Sequence, residues 1–147
     1  MQETSVNLIT VILATIIQVS LGMVWFGPYI FGNFWAKIMG TDMDKFRKMS
    51  IEEKEKFNKE MLPIYISQTA ATFIATIILS MCIKMFPQVN PYTVAVFTWF
   101  GFVFTSHITT TVWSATKIKY MSSQIAISSS FQLISMLLVA FLTTLFG

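Results

Sequence analysis

Charge is scarce in this sequence, and its distribution is more telling than its amount. Asp, Glu, Lys and Arg make up 12% of the chain, against about 25% in an ordinary soluble domain. Most of these residues lie between Lys37 and Glu60. Outside that stretch only Glu3, Lys84, Lys117 and Lys119 carry charge, which leaves residues 4–36, 61–83, 85–116 and 120–147 charge-free. A bilayer core needs about 20 apolar residues per helix, and each run is long enough. A soluble chain of 147 residues could bury one such helix, but not four that lack a charged face. The expected fold is therefore all-α: one integral-membrane domain over residues 1–147, built as a bundle of four transmembrane helices with a cytoplasmic helical loop.

Other absences narrow the chemistry. Cys82 is the only cysteine, so no disulfide can form within the chain, and it reads as a small hydrophobe. His107 is the only histidine, so a Cys/His metal cluster is excluded and no cofactor is expected. No Asp or Glu lies in any of the four apolar runs, whereas proton-coupled exporters and cation pumps commonly use a buried carboxylate. Met1–Thr4 has no Lys or Arg, and no small-residue cleavage site follows the first apolar run, so that run is expected to be retained as a span. The loop holds seven basic and six acidic residues; this balance argues against a nucleic-acid partner.

What is present sets the layout. The expected spans are about 7–26, 62–85, 92–114 and 123–146. The first is stopped by Gly27-Pro28, Pro63 sits in the first turn of the second, and Phe86–Asn90 makes a tight hairpin between the second and third. Nine of the ten basic residues lie on the side of the first and third loops, and only Lys84 on the other. The positive-inside rule puts loop 27–61 in the cytoplasm and both termini outside the cell membrane. Within the polar helical loop 37–60 and just before it, Phe31, Phe34, Trp35 and Ile38 recur at helical spacing beside Gly40, a natural stop. Ser50-Ile51-Glu52-Glu53 opens a polar helix through about Glu60 with a capping box, and Glu52/Lys56 and Glu55/Lys59 are spaced as i,i+4 ion pairs. That helix reads as solvated, with docking of a partner as the alternative.

Gly22-Met23-Val24-Trp25-Phe26-Gly27-Pro28, then Phe31-Gly32-Asn33-Phe34-Trp35, Met39-Gly40 and the later Gly101-Phe102 resemble a family pattern. They are similar to the small bacterial integral-membrane family called domain of unknown function 1761. Asn33 stands where that family often has Lys. The resemblance implies a four-helix membrane domain and no assigned activity.

Each span has a stripe of amide, hydroxyl or small residues: Thr15, Gln18, Gly22 and Trp25; Gln68, Thr69, Thr72, Thr76 and Ser80; Ser106, His107, Thr109, Thr110 and Thr111; Gln124, Ser128, Gln132 and Ser135. Groups without water must find partners, so the stripes are expected to face inward. They serve as helix–helix glue or line a hydrated path. Gln18, Gln68, His107, Thr110 and Gln132 form the candidate intramembrane polar site. Trp25, Tyr29 and Trp35 form a candidate interfacial aromatic site, either a membrane belt or a ligand mouth. His107 is open to a neutral structural role, a ligand or pH-gate role, or catalysis, and no second group at fixed spacing supports the last. The chain is therefore read as no enzyme. The favoured function is a small passive transport or permeability protein with a neutral polar interior, working as a homo-oligomer in membrane lipid. The alternative is a non-catalytic scaffold or accessory subunit with a membrane-protein partner. A lipid- or quinone-modifying enzyme is the weakest reading.

Overall fold

A computed structural model of the chain describes residues 6–40, 43–114 and 116–146; Met1–Thr4 lies outside them. Seven α-helices follow in order: α1 Leu8–Trp25, α2 Gly32–Ile38, α3 Met43–Lys48, α4 Ile51–Met85, α5 Pro91–Thr98, α6 Thr105–Trp113 and α7 Ile118–Phe146. A π-helical segment, Trp99–Phe104, joins α5 to α6. Among the described residues there is no strand. Three helices, α1, α4 and α7, are long and apolar enough to cross a membrane.

Local chemistry explains the boundaries. The Asn7 side chain caps α1 by accepting from the amides of Ile9 and Thr10, and Asn90 caps α5 through the Tyr92 amide, with Pro91 in the first turn. Gly40 follows α2 at φ 70°, the left-handed conformation that a residue without Cβ enters at little cost. The capping box at Ser50 forms in full: the Ser50 hydroxyl accepts from the Glu53 amide, and the Glu53 carboxylate accepts from the Ser50 amide.

Two expectations for this region change. The polar helix and the second span are one continuous helix, and Pro63 lies well inside it. Proline removes its own N–H bond, to the Lys59 carbonyl, yet the helix continues on both sides of it. The Glu52/Lys56 and Glu55/Lys59 pairs do not close. Among the described residues, Arg47 and Asp44 form an ion pair in the loop at 3.8 Å. Exposed i,i+4 pairs contribute only a few tenths of a kcal/mol, about what holding two long side chains costs. The short helix α3 was not anticipated, and α7 starts five residues before the expected span.

α7 is the hub: it packs against α1, α2, α4, α5, the π segment and α6. α1 and α4 also pack on each other, as do α4 and α5. The core sits where α1, the C-terminal part of α4, α5 and the C-terminal part of α7 meet, at Ala14, Leu79, Ile83, Ala95, Val139, Ala140 and Leu142. The three alanines are almost completely buried; small side chains let helix backbones approach closely. Outside the charged stretch the surface is strongly apolar, with Ile9, Ile16, Ile66, Ile74, Phe97, Phe102 and Phe141 all exposed. A surface this apolar suits a hydrocarbon surround and not water. The burial of α4 is confined to Thr76, Leu79, Ser80 and Ile83, so its N-terminal half stands away from the core.

Candidate functional site

The polar groups divide into three sets. The first is paired between helices inside the core. Gln18, only 8% exposed, donates through Nε2 to Thr76 Oγ1 at 2.8 Å and to the Ala14 carbonyl at 3.2 Å. Ser80 and Thr143 hydroxyls lie 3.1 Å apart. At the exposed edge of this set, Asn7 Nδ2 and Thr10 Oγ1 both donate to the Phe146 carbonyl, at 3.0 and 3.4 Å, so the start of α1 is tied to the end of α7. Ser135, 1% exposed, is buried beside this set, and its hydroxyl has no hydrogen-bond partner among the described residues.

The second set satisfies itself. Thr15, Thr69, Thr72, Thr98, Thr109, Thr110 and Thr144 each donate to the carbonyl four residues earlier, at 2.8–3.1 Å. A threonine hydroxyl in a helix can close this bond without any neighbour. That corrects the expectation that all four stripes turn inward. Thr76 and Ser80 do, but Gln68 and Thr69 are exposed. On α6, Thr111 is buried and His107 half-buried, while Ser106, Thr109 and Thr110 are exposed.

The five residues expected to form a polar site are therefore spread out. Gln18 is buried and paired. Gln68 and Thr110 are exposed, on α4 and α6. His107 and Gln132 are half-buried, and neither side chain is hydrogen-bonded to a described residue. No side-chain to side-chain hydrogen bond joins any two of the five.

The third set is aromatic. The chain turns between α1 and α2 through Phe26–Phe31. The Gly32 amide donates to the Gly27 carbonyl at 2.8 Å and the Phe31 amide to the Trp25 carbonyl at 3.1 Å. Gly32 packs so closely on the Gly27 carbonyl, and Gly27 on that of Met23, that neither position has room for a Cβ. This turn presents Phe26 to Trp35 (ring centroids 4.9 Å apart) and to Phe131 of α7 (5.3 Å), with Trp25 against Phe31 (5.1 Å). Of the three expected aromatic site residues, Trp25 and Trp35 join this cluster, while Tyr29 points away and is 88% exposed. Gly22 lies against Phe131, whose Cζ would meet an added Cβ at 3.3 Å.

Two indoles clamp α7 from different neighbours. Trp25 Nε1 donates to the Ile127 carbonyl at 3.2 Å and Trp99 Nε1 to the Ser129 carbonyl at 2.8 Å. The Ser130 hydroxyl adds bonds to the Ala126 and Ile127 carbonyls. The Ser128-Ser129-Ser130 run of α7 is thus a point where side-chain donors converge on the backbone. Trp99 and Phe131 escaped the sequence reading. The available signal was the indole N–H, which needs an acceptor once buried. In the π segment that starts at Trp99, the i→i+5 pattern frees carbonyls, and the Thr105 hydroxyl takes those of Gly101 and Phe102 at 2.8 and 3.2 Å.

The motif residues from Gly22 to Trp35 therefore build a turn and an aromatic anchor for α7. No curated protein and no solved structure matches the chain. The model of the family described as Protein of unknown function (DUF1761) matches residues 9–144, a range that takes in the turn, both indole clamps and the paired core, and the chain belongs to that family.

Proposed function

We propose that the chain is a four-span membrane protein that acts as a non-catalytic accessory subunit, with loop 27–61 in the cytoplasm and both termini outside. The third span is α5, the π segment and α6, of 8, 6 and 9 residues, which run on through right-handed helical junctions and carry no charge. The basic residues supply the direction, since nine of ten fall on the side of loop 27–61.

One observation carries the accessory role. Residues 62–71 of α4 and most of α6 are exposed, and they offer Gln68 on α4 and Ser106, Thr109 and Thr110 on α6 among exposed apolar side chains. The Gln68 amide, unlike the Thr109 and Thr110 hydroxyls, makes no bond to its own helix and has no partner among the described residues. In hydrocarbon such an amide is stabilised by an acceptor on another chain. Inside the bundle, by contrast, Gln18 is paired with Thr76 and Ser80 with Thr143.

Disulfide crosslinking in native membranes tests this. In a Cys82→Ser background, Gln68→Cys and Thr110→Cys should crosslink to a species of fixed mass, a second copy or a partner. Leu13→Cys, on α1, should not. Monomeric chains at both 68 and 110 would remove the proposal.

Passive permeation is the second reading. It draws on Gln132 and His107, which are half-buried with no side-chain hydrogen bond to a described residue, and so are free to contact a solute. Liposome flux of small uncharged solutes above that of empty vesicles would favour it over the accessory role.

A further inference from the structure

Along α4, beside Thr15 of α1, lies a groove of about 520 Å³, lined by Thr15, Tyr65, Ile66, Thr69, Ala70 and Phe73. Small-ligand sites typically span about 300–1,000 Å³. Two of the lining residues are threonines, but both hydroxyls are spent on their own helix, Thr15 on the Val11 carbonyl and Thr69 on the Tyr65 carbonyl, each at 2.8 Å. Neither hydroxyl is therefore available as a donor. Apart from the Tyr65 phenol, the walls are mainly apolar and offer no free hydroxyl donor, so a hydrocarbon chain fits them better than a polar solute.

The mouth of the groove differs from its floor. The phenol of Tyr65 is half exposed, and its hydroxyl has no partner among the described residues. Tyrosine at such a position suits the headgroup level of a bilayer. At 100° per residue, the groove face of α4 continues through Leu62 to Lys59, about 9 Å beyond Tyr65 along the axis. Lys59 is exposed and makes no ion pair with a described residue, its expected partner Glu55 included. A cation and a phenolic donor thus stand above an apolar trough, the arrangement that matches an anionic headgroup above an acyl chain.

We propose that this groove holds one acyl chain of an anionic phospholipid, with the lipid phosphate at Lys59 and Tyr65. The proposal rests on the reading of α4 as a membrane span. It is independent of the partner surface at Gln68.

Native mass spectrometry tests it, on protein taken from vesicles of mixed phosphatidylcholine and phosphatidylglycerol. The wild-type chain should retain one phosphatidylglycerol. Ala70→Trp and Ile66→Trp, which fill the groove, should lose it at unchanged helicity. Ala71→Trp, on the opposite face of α4, should keep it. Lys59→Gln should lower the preference for phosphatidylglycerol over phosphatidylcholine by about fivefold, the contribution of one lysine near an anionic surface. Retention by both groove-filling variants equal to wild type would overturn the groove alone. A disulfide-linked dimer through Ala70→Cys in the Cys82→Ser background, with no lipid retained, would give the groove to a second copy and also overturn it. Protease cleavage within residues 62–85 in sealed vesicles would remove the span on which both proposals stand.

Discussion

At the residue scale, the contact that defines the interior is Gln18 with Thr76. Both are buried, and the bond is 2.8 Å long. Interhelical hydrogen bonds in membrane proteins contribute about 0.6 kcal/mol and at most about 1.7 kcal/mol. A double-mutant cycle of Gln18→Leu and Thr76→Val, measured by unfolding in detergent, should return a coupling energy in that range. A coupling of zero would mean that the two side chains act separately. Ser135 makes the opposite case. Its hydroxyl is buried without a partner, and leaving such a group unsatisfied costs about 1–3 kcal/mol. Ser135→Ala should therefore leave the unfolding midpoint unchanged or raise it, while Ser80→Ala, which breaks a bond to Thr143, should lower it. Some of this was legible in the sequence: the stripe Thr15, Gln18, Gly22 and Trp25 predicts the inward face of α1 correctly. The stripe on α6 misled, because a threonine looks the same in sequence whether its hydroxyl crosses to a neighbour or folds back on its own helix. Gln18 and Thr76 were each visible, but their pairing depends on how α1 and α4 cross, which no local pattern encodes.

At the element scale, helix ends were well marked and helix continuity was not. The capping box at Ser50, the stop at Gly40 and the cap at Asn90 all follow from short-range hydrogen bonding, and short-range bonding is written in adjacent residues. Replacing Ser50 by Ala should cost about 1 kcal/mol of helix stability, seen as faster amide exchange over residues 51–54 with no change in the apolar part of α4. Pro63 was read as a start and proved internal, since the loss of one backbone bond does not end a helix that continues on both sides. The π segment was not foreseen either. Its sequence, Trp99–Phe104, has no breaker except Gly101, and Trp99 at its start is held to α7 by the indole bond to the Ser129 carbonyl. Removing that hold should be costly. Trp99→Phe keeps the ring and deletes the bond to the Ser129 carbonyl. The α6 segment, which packs mainly on α7, should then show faster amide exchange than α5. Unchanged exchange across 105–113 would mean that the indole does not hold the segment. Gly32→Ala should destabilise the turn before α2 by about 1–3 kcal/mol, the usual cost of overpacking, because the Gly27 carbonyl occupies the space a Cβ needs.

At the scale of the whole molecule, the charge map and the packing point the same way. The charged stretch lies at one end of α4, and the paired core lies toward the other. The all-helical, apolar architecture was legible from the four charge-free runs, because membrane solubility imposes composition over whole segments and not at single sites. Which surfaces remain uncovered was not legible, since that depends on α7 taking the centre of the bundle and on α4 leaving it halfway along its length. The proposed working surfaces are on the outside of the bundle, at Gln68, on α6 and at the groove beside α1 and α4, around a dry interior. Thiol accessibility tests that claim most directly. In a Cys82→Ser background, Gln18→Cys should resist a membrane-impermeant thiol reagent from both sides of sealed vesicles and react only after denaturation. Rapid labelling of Gln18→Cys from either side would show a water-filled path through the core and contradict the account.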